Sequence, residues 1–174
     1  MNLLIYRILS SKFGANLELR ILMRQTANAF GVGAPKAAGQ SNSELLRTYA
    51  QFTSKEVMRD IQHGDTLESL HQKLYEMAYY LGNQIRRWLK PKDEKERFVV
   101  ITLLYHNIGI QMEGEAPGTI CVRKCYISGF YTPEVCDLIS AIDQGIFAGI
   151  YQGSKLTFHE RITEGCDVCL ADFR

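Results

Sequence analysis

The chain has 174 residues, of which 46% are hydrophobic and 22% charged, with a net charge of +1 at pH 7. These values are typical of one soluble globular domain, 1–174, with enough interior for a core. The small net charge excludes electrostatic capture of nucleic acid as the default function. No apolar run reaches the roughly 20 residues of a membrane-spanning helix. Because residues 1–9 lack a basic leader and a cleavage site, we expect a cytoplasmic protein.

The first hundred residues have helical periodicity and form a predicted scaffold. Apolar residues at three- and four-residue steps predict a helix over about 17–30, followed by a loop rich in glycine and proline. Ser43 is the predicted cap of a second helix. A third helix is predicted to begin after Thr66 and to end before Pro91, and a short fourth helix to cover about 93–100.

The remaining residues, 101–174, change to a strand period of two. We predict hairpins over about 105–127 and 155–173, joined by a helix that begins at Thr132 and Pro133. Helices followed by hairpin, helix and hairpin predict an α+β fold. In this fold an N-terminal helical layer packs on a four-stranded antiparallel sheet, with one helix between the two hairpins.

All five cysteines lie between positions 121 and 169. Thiols that only fill the core would not be expected to respect such a boundary, so we expect the functional site in this part. An odd number of cysteines argues against a disulfide framework and favours metal binding, reactive thiols or plain packing. Cys166 and Cys169 have the spacing of half a zinc or redox site. Cys121 and Cys125 share strand parity, but a straight strand would hold them too far apart to bind one ion.

Cys136 lies in the first turn of the predicted helix, where the positive end of the helix dipole favours a thiolate. Asp143 follows two turns later on the same face. Cys136 is therefore a candidate nucleophile or metal ligand, and Asp143 a candidate general base. The alternative for Cys136 is a small buried filler. Gly145, Gly149 and Gly153 recur every four residues and predict a close approach of this helix to the sheet or to a ligand.

Glu160 shares strand parity with Phe158, so alternation directs its carboxylate toward the apolar face. A buried carboxylate is normally paired, protonated or bound to metal. The alternative is a bulge or a shifted register that turns Glu160 outward. A two-residue turn at 164–165 would place Glu160 opposite Cys169 on one face. The predicted metal ligands are Cys136, Glu160, Cys169 and Cys166, with His159 in reserve, and the predicted catalytic residues are Cys136, Asp143 and Glu160.

The stretch from Cys136 to Cys169 resembles the end of the 4-vinyl-reductase-type domain. The resemblance rests on a cysteine that opens a glycine-bearing helix, a strand that ends in Glu160, and Gly165 before the last cysteine. That domain shares its fold with the Bet-type subunits of the TRAPP trafficking complex. The resemblance implies binding of hydrophobic or aromatic small molecules near a zinc ion held by Cys136, Glu160 and Cys169. The sensors of this family have a further cysteine after the glutamate, which this chain replaces with Ile162 and Thr163.

The C-terminal part also resembles the L-2-amino-thiazoline-4-carboxylic acid hydrolase-like family. The matching residues are Cys125, Cys136, Asp143, Arg161, Ile162, Thr163, Gly165 and Cys169. Together the two resemblances lead us to expect a binding module for a hydrophobic or aromatic small molecule, with zinc as a candidate ion. The alternative is a hydrolase or isomerase of a small molecule that uses a cysteine thiolate or zinc-activated water. The apolar surface of the N-terminal helices and the first resemblance both predict a homodimer.

Overall fold

The computed structural model describes residues 11–63, 67–114 and 117–174 of the chain. These residues contain five α-helices, four β-strands and two short 3₁₀ turns, at Ile127–Phe130 and Ile162–Glu164. The helices are α1 (Lys12–Ala29), α2 (Asn42–His63), α3 (Leu67–Leu89), α4 (Glu94–Asn107) and α5 (Pro133–Tyr151), and the strands are β1 (Ile110–Gly114), β2 (Gly118–Cys125), β3 (Leu156–Glu160) and β4 (Cys169–Phe173). The predicted cap at Thr66 and the apolar residues 1–9 lie outside this part of the chain.

The four strands form one antiparallel sheet in the order β1-β2-β4-β3. Each hairpin contributes one central strand, β2 or β4, and these two strands pair with each other. The predicted α+β class is confirmed, with helices at the N-terminal side and α5 between the two hairpins. No helix in the described ranges combines the length and the hydropathy needed to cross a bilayer.

Three helix boundaries differ from the prediction, and the first is the start of α1 at Lys12 rather than at about residue 17. The cap before α2 is Ser41 rather than Ser43, because the Ser41 hydroxyl accepts from the Glu44 amide while the Glu44 carboxylate accepts from the Ser41 amide. Helix α4 continues to Asn107, so the strand expected from residue 105 begins only at Ile110. Its buried residues recur at three- and four-residue steps, and this helical period outweighs the short alternation at its end. They are Val100, Ile101, Leu104 and Tyr105.

Helix α5 lies against one face of the sheet, which we call the inner face. Phe147 of α5 packs edge-on against Phe173 of β4, with ring centroids 5.2 Å apart. Thr132 caps α5 by accepting from the Val135 amide, and Pro133 occupies its first turn, as predicted. Cys136, in the first turn of α5, borders a cavity between α5 and the sheet.

The glycines of α5 serve a contact that the sequence does not predict. A Cβ atom added at Gly149 would lie 2.8 Å from the Asn83 amide nitrogen of α3, and closer still to the Tyr79 carbonyl oxygen. Gly145 meets the backbone of α3 in the same way, one turn earlier. The expected approach of these glycines to the sheet or a ligand is therefore wrong: they allow two helix backbones to pack closely.

Two irregularities in strand register decide which side chains reach the inner face. In β2, Met112 pairs with Val122 but Gln111 pairs with Lys124, so β2 carries one extra residue at Arg123. In β3, Phe158 pairs with Ala171 but Glu160 pairs with Leu170, so the extra residue there is His159. Each bulge reverses the alternation of the residues that follow it.

Candidate functional site

A small cavity lies between α5 and the inner face of the sheet, and we call it the helix–sheet cavity. Its volume is about 60 Å³. The apolar part of its lining is Ile110, Met112, Ile120, Val122, Phe147, Leu156, Phe158 and Ala171. The polar part is Tyr105, Asp143, Arg161, Cys125, Cys136 and Cys169. An apolar enclosure with a few convergent polar groups is the usual form of a small-molecule site.

Asp143 carries a carboxyl group that is surrounded by protein and borders this cavity. Burial raises the pKa of Asp143 to about 6, although the hydrogen bond from Tyr105 and the Arg161 charge both act in the opposite direction. The Tyr105 hydroxyl donates to Asp143 Oδ1 at 2.7 Å. Burial, together with the Asp143 charge, also raises the pKa of Tyr105 well above its usual value. The pair therefore consists of a tyrosine that stays protonated and a carboxyl that titrates just below neutral pH.

The three cysteines of the cavity are not activated as thiolates. Burial raises the pKa of Cys125 to about 12 and raises the pKa of Cys136 and Cys169 above the ordinary thiol value. For Cys136, Thr163 and Arg161 lower the pKa, yet desolvation is the larger effect. Burial therefore opposes the thiolate that the sequence predicts at Cys136, and a reactive Cys136 stays a prediction.

Arg161 is the charged residue that the β3 bulge turns toward the cavity. Its side chain is only 10% exposed. Its Nη2 donates to Asp137 Oδ1 at 2.9 Å and to Ser140 Oγ at 3.3 Å. The guanidinium carbon lies 4.5 Å from the centre of the Phe158 ring, in cation–π contact. A buried, well-held cation therefore stands beside the aromatic ring at one end of the site.

A second, open cleft adjoins the helix–sheet cavity, and we call it the outer cleft. Its volume is about 470 Å³, and it shares Leu156, Phe158 and Arg161 with the cavity. The remaining polar lining includes Lys155 and Asp137. The helix–sheet cavity and the outer cleft therefore adjoin at these three side chains.

The structure brings some of the predicted site residues together and separates others. Cys136, Asp143 and Cys169 all border the cavity. Glu160 is exposed and pairs with Leu170, so the predicted pairing with Cys169 and the inward orientation of its carboxylate are wrong. The register predicted for the preceding residues is correct, as Phe158 lies opposite Ala171, but the bulge at His159 shifts Glu160 by one position. The connection is a 3₁₀ turn closed by Gly165 rather than a two-residue turn.

The predicted zinc ligands do not surround one ion. Cys166 precedes β4 and does not border the cavity, while Glu160 lies on the outer side. In the described part of the chain, no three histidine, cysteine, aspartate or glutamate side chains are grouped closely enough to hold a metal. Cys121 and Cys125 are also divided, because the β2 bulge turns Cys125 inward. A requirement for zinc stays an untested prediction.

Sequence periodicity places two residues outside the site, although Arg161 appears among the matching residues of the second resemblance. Tyr105 falls in a segment predicted as strand, and its contact with Asp143 joins two helices far apart in the chain. Arg161 is excluded from the inner face by strict alternation, which the bulge breaks. No sequence signal identifies the bulge, because its extra residue, His159, is neither glycine nor proline, the two residues that often mark a bulge in a strand.

The order in which the thiols react is a first testable consequence. At pH 7.5 we expect iodoacetamide to label Cys125, Cys136 and Cys169 more slowly than Cys121, because burial disfavours their thiolates. Peptide mass spectrometry after timed quenching measures each rate, and the urea-unfolded chain is the control in which the differences should disappear. Labelling of Cys136 ahead of the other thiols would contradict this account and favour a cysteine nucleophile.

Comparisons with known proteins give a structural likeness but no sequence match. No protein-family model matches the chain, and no curated protein matches it. The chain is similar in structure to a vinyl-4-reductase family protein from Methanocaldococcus jannaschii, solved by crystallography. The alignment has a TM-score of 0.45 and 16% sequence identity, and it covers 89% of this chain and 92% of that chain. That protein carries the family name that residues 136–169 resemble, and the likeness concerns the fold alone.

Proposed function

We propose that this chain is a binding module for a small hydrophobic or aromatic molecule, with the helix–sheet cavity as its site. The observation that carries the proposal is the cavity itself, which is lined by Phe147 of α5 and by apolar side chains of the sheet. Its three thiols favour the neutral form, so they add polarisable rather than charged surface. Such a lining favours an apolar ligand over water.

The size of the cavity requires a movable side chain. A volume of about 60 Å³ is smaller than the roughly 150 Å³ cavity known to accept benzene. Phe158 is only half-buried and separates the cavity from the outer cleft. Rotation of this ring joins the two volumes and admits a ligand of about one aromatic ring.

A cavity-filling variant tests the proposal. Val122→Phe places a ring in the cavity, whereas Thr119→Phe adds the same ring on the opposite face of the same strand. We expect solvent extraction of freshly purified wild type and Thr119→Phe to release a small organic compound that Val122→Phe lacks, as measured by mass spectrometry. Equal amounts of the same compounds from all three proteins would contradict a ligand in this cavity.

A second candidate function is proton transfer on a small substrate, as in an isomerase. The observation that favours it is Asp143, whose pKa of about 6 suits a general base near neutral pH. Burial raises the pKa of Cys136, which disfavours the thiolate that a cysteine nucleophile needs. Of the proposed catalytic residues, Asp143 therefore retains the strongest physical support, and the labelling order described above separates this function from thiol attack.

The homodimer expected from the sequence stays a proposal. Helix α3 exposes 61% of Tyr80 and 56% of Trp88, two turns apart on one face. Burial of these rings against a second copy would remove their apolar surface from water. Light scattering should give twice the chain mass at micromolar concentration, and Trp88→Glu should reduce it to one chain; a single-chain mass for the wild type would refute the dimer.

A further inference from the structure

We propose that the ligand of the helix–sheet cavity is a small aromatic or aliphatic monocarboxylate whose carboxylate binds Arg161. This inference rests on the proposed function and adds the chemical class of the ligand. An apolar body would occupy the cavity, and the carboxylate would lie at its border with the outer cleft. The geometry of Arg161 and its partners carries the argument.

The Arg161 guanidinium makes no hydrogen bond to an oxygen atom of the described residues through Nε or Nη1. Both of its hydrogen bonds to oxygen atoms of the described residues come from Nη2. The nearest carboxylate to Nε belongs to Glu164 at 3.8 Å, beyond hydrogen-bonding distance. The guanidinium carbon lies 4.5 Å from the centre of the Phe158 ring, the side chain whose rotation admits the ligand. A planar guanidinium whose Nε makes no hydrogen bond to oxygen, and which otherwise contacts the Cys136 thiol, matches the two oxygens of a carboxylate.

Of the two ion-pair partners of Arg161, Asp137 is the one that is hydrogen-bonded to it, and this partner is replaceable. The Asp137 side chain is 77% exposed, so it can return to water at small cost, whereas Arg161 is buried and requires a counter-charge. A ligand carboxylate that takes the place of Asp137 would keep the cation neutralised. The ligand would thus replace the exposed carboxylate of Asp137 with its own carboxylate, which enters together with its apolar body.

The charges around the site favour a single negative charge on the ligand. The lining of the outer cleft contains Lys155 and Arg161 against one aspartate, Asp137, so the lining itself is net positive, and Glu164 beside Arg161 lies outside that lining. Deeper inside, Asp143 is negative above pH 6 and opposes a second anionic group. A monocarboxylate satisfies both conditions, whereas a dianion would be repelled by Asp143.

The test compares two probes that differ in charge and have nearly the same shape, phenylacetate and phenylacetamide. Amide chemical shifts of the protein are followed by NMR at pH 7.5 during titration with each probe. We expect phenylacetate to bind at least about tenfold more tightly, because a hydrogen-bonded charge pair replaces a neutral contact. Asp137→Asn should increase the affinity for phenylacetate several-fold and leave the affinity for phenylacetamide unchanged, since it removes the competing carboxylate. Arg161→Met should lower the affinity for phenylacetate to that for phenylacetamide.

Each outcome decides a different part of the proposal. Equal binding of the two probes to the wild type overturns the carboxylate inference and leaves the binding function intact. Failure of both probes to shift any residue of the cavity overturns the binding function as well. If Arg161→Met does not fold, as judged by circular dichroism, Asp137→Asn decides alone, because that side chain is exposed. An unchanged affinity ratio in Asp137→Asn then contradicts the assignment of Arg161.

Discussion

Replacing Gly149 with alanine is expected to lower the free energy of unfolding by about 3 kcal/mol or more, through overpacking of a tight contact. The added methyl group would meet the Tyr79 carbonyl and lie 2.8 Å from the Asn83 nitrogen, and both are backbone atoms of α3. Backbone cannot move aside as a flexible side chain can. Helices α3 and α5 would have to separate, and α5 also forms one side of the helix–sheet cavity.

Gly33→Ala is the matched control for this prediction. No atom lies within 4 Å of a Cβ atom built at Gly33, which has no positive φ. Its effect should stay within about 1 kcal/mol of the wild type. Urea unfolding followed by circular dichroism measures both variants. Similar stabilities for Gly149→Ala and Gly33→Ala would show that the two helices are not in backbone contact.

The second large effect is expected at Glu18, a half-buried carboxyl group of α1 that is hydrogen-bonded to Asn107. Desolvation raises the pKa of Glu18 to about 8, although the Asn107 side chain donates to it at 2.8 Å. The folded state thus binds a proton more tightly than the unfolded state. Between pH 4.5 and pH 8, stability falls as pH rises, by about 1.4 kcal/mol for each pH unit from this group alone.

Glu18→Gln should remove this dependence. Glutamine is neutral at every pH and keeps a side-chain oxygen that accepts the hydrogen bond from Asn107. We expect the variant and the wild type to be equally stable below pH 4.5, and the variant to be more stable by several kcal/mol at pH 8 and above.

Glu160→Gln, at an exposed position, is the control and should follow the wild type throughout. Chemical denaturation at half-unit pH steps measures the three curves. Parallel curves for Glu18→Gln and the wild type from pH 4.5 to pH 9 would exclude a protonated Glu18 in the folded state.

The sequence predicts the order and type of most elements because the signals are local. The Thr132 and Pro133 signal specifies where α5 begins, and apolar periodicity identifies α1 to α3. The error at residues 105–107 has a physical cause, because a few alternating residues cannot be distinguished from the end of a helix by period alone. Tertiary burial of Tyr105 and Leu104 on one helix face decides that segment.

The candidate site depends on features that local patterns do not report. The sequence identifies Cys136, Asp143 and Cys169, because two lie on one helix face and the third follows from a register that is correct up to Phe158. The sequence assigns Glu160 to the inner face of the sheet, where the structure has Arg161. A one-residue bulge exchanges the faces of neighbouring side chains, and its position is set by the packing of β3 on β4.

Binding of toluene to the helix–sheet cavity is the most direct test of the central claim. Intermolecular nuclear Overhauser effects should connect toluene to the methyl groups of Ile120, Val122 and Leu156 in the wild type. The same contacts to Ile120 and Leu156 should persist in Thr119→Phe and disappear in Val122→Phe, whose new ring fills the space. Absence of these contacts in the wild type at saturating toluene, or their persistence in Val122→Phe, would contradict the cavity as the ligand site.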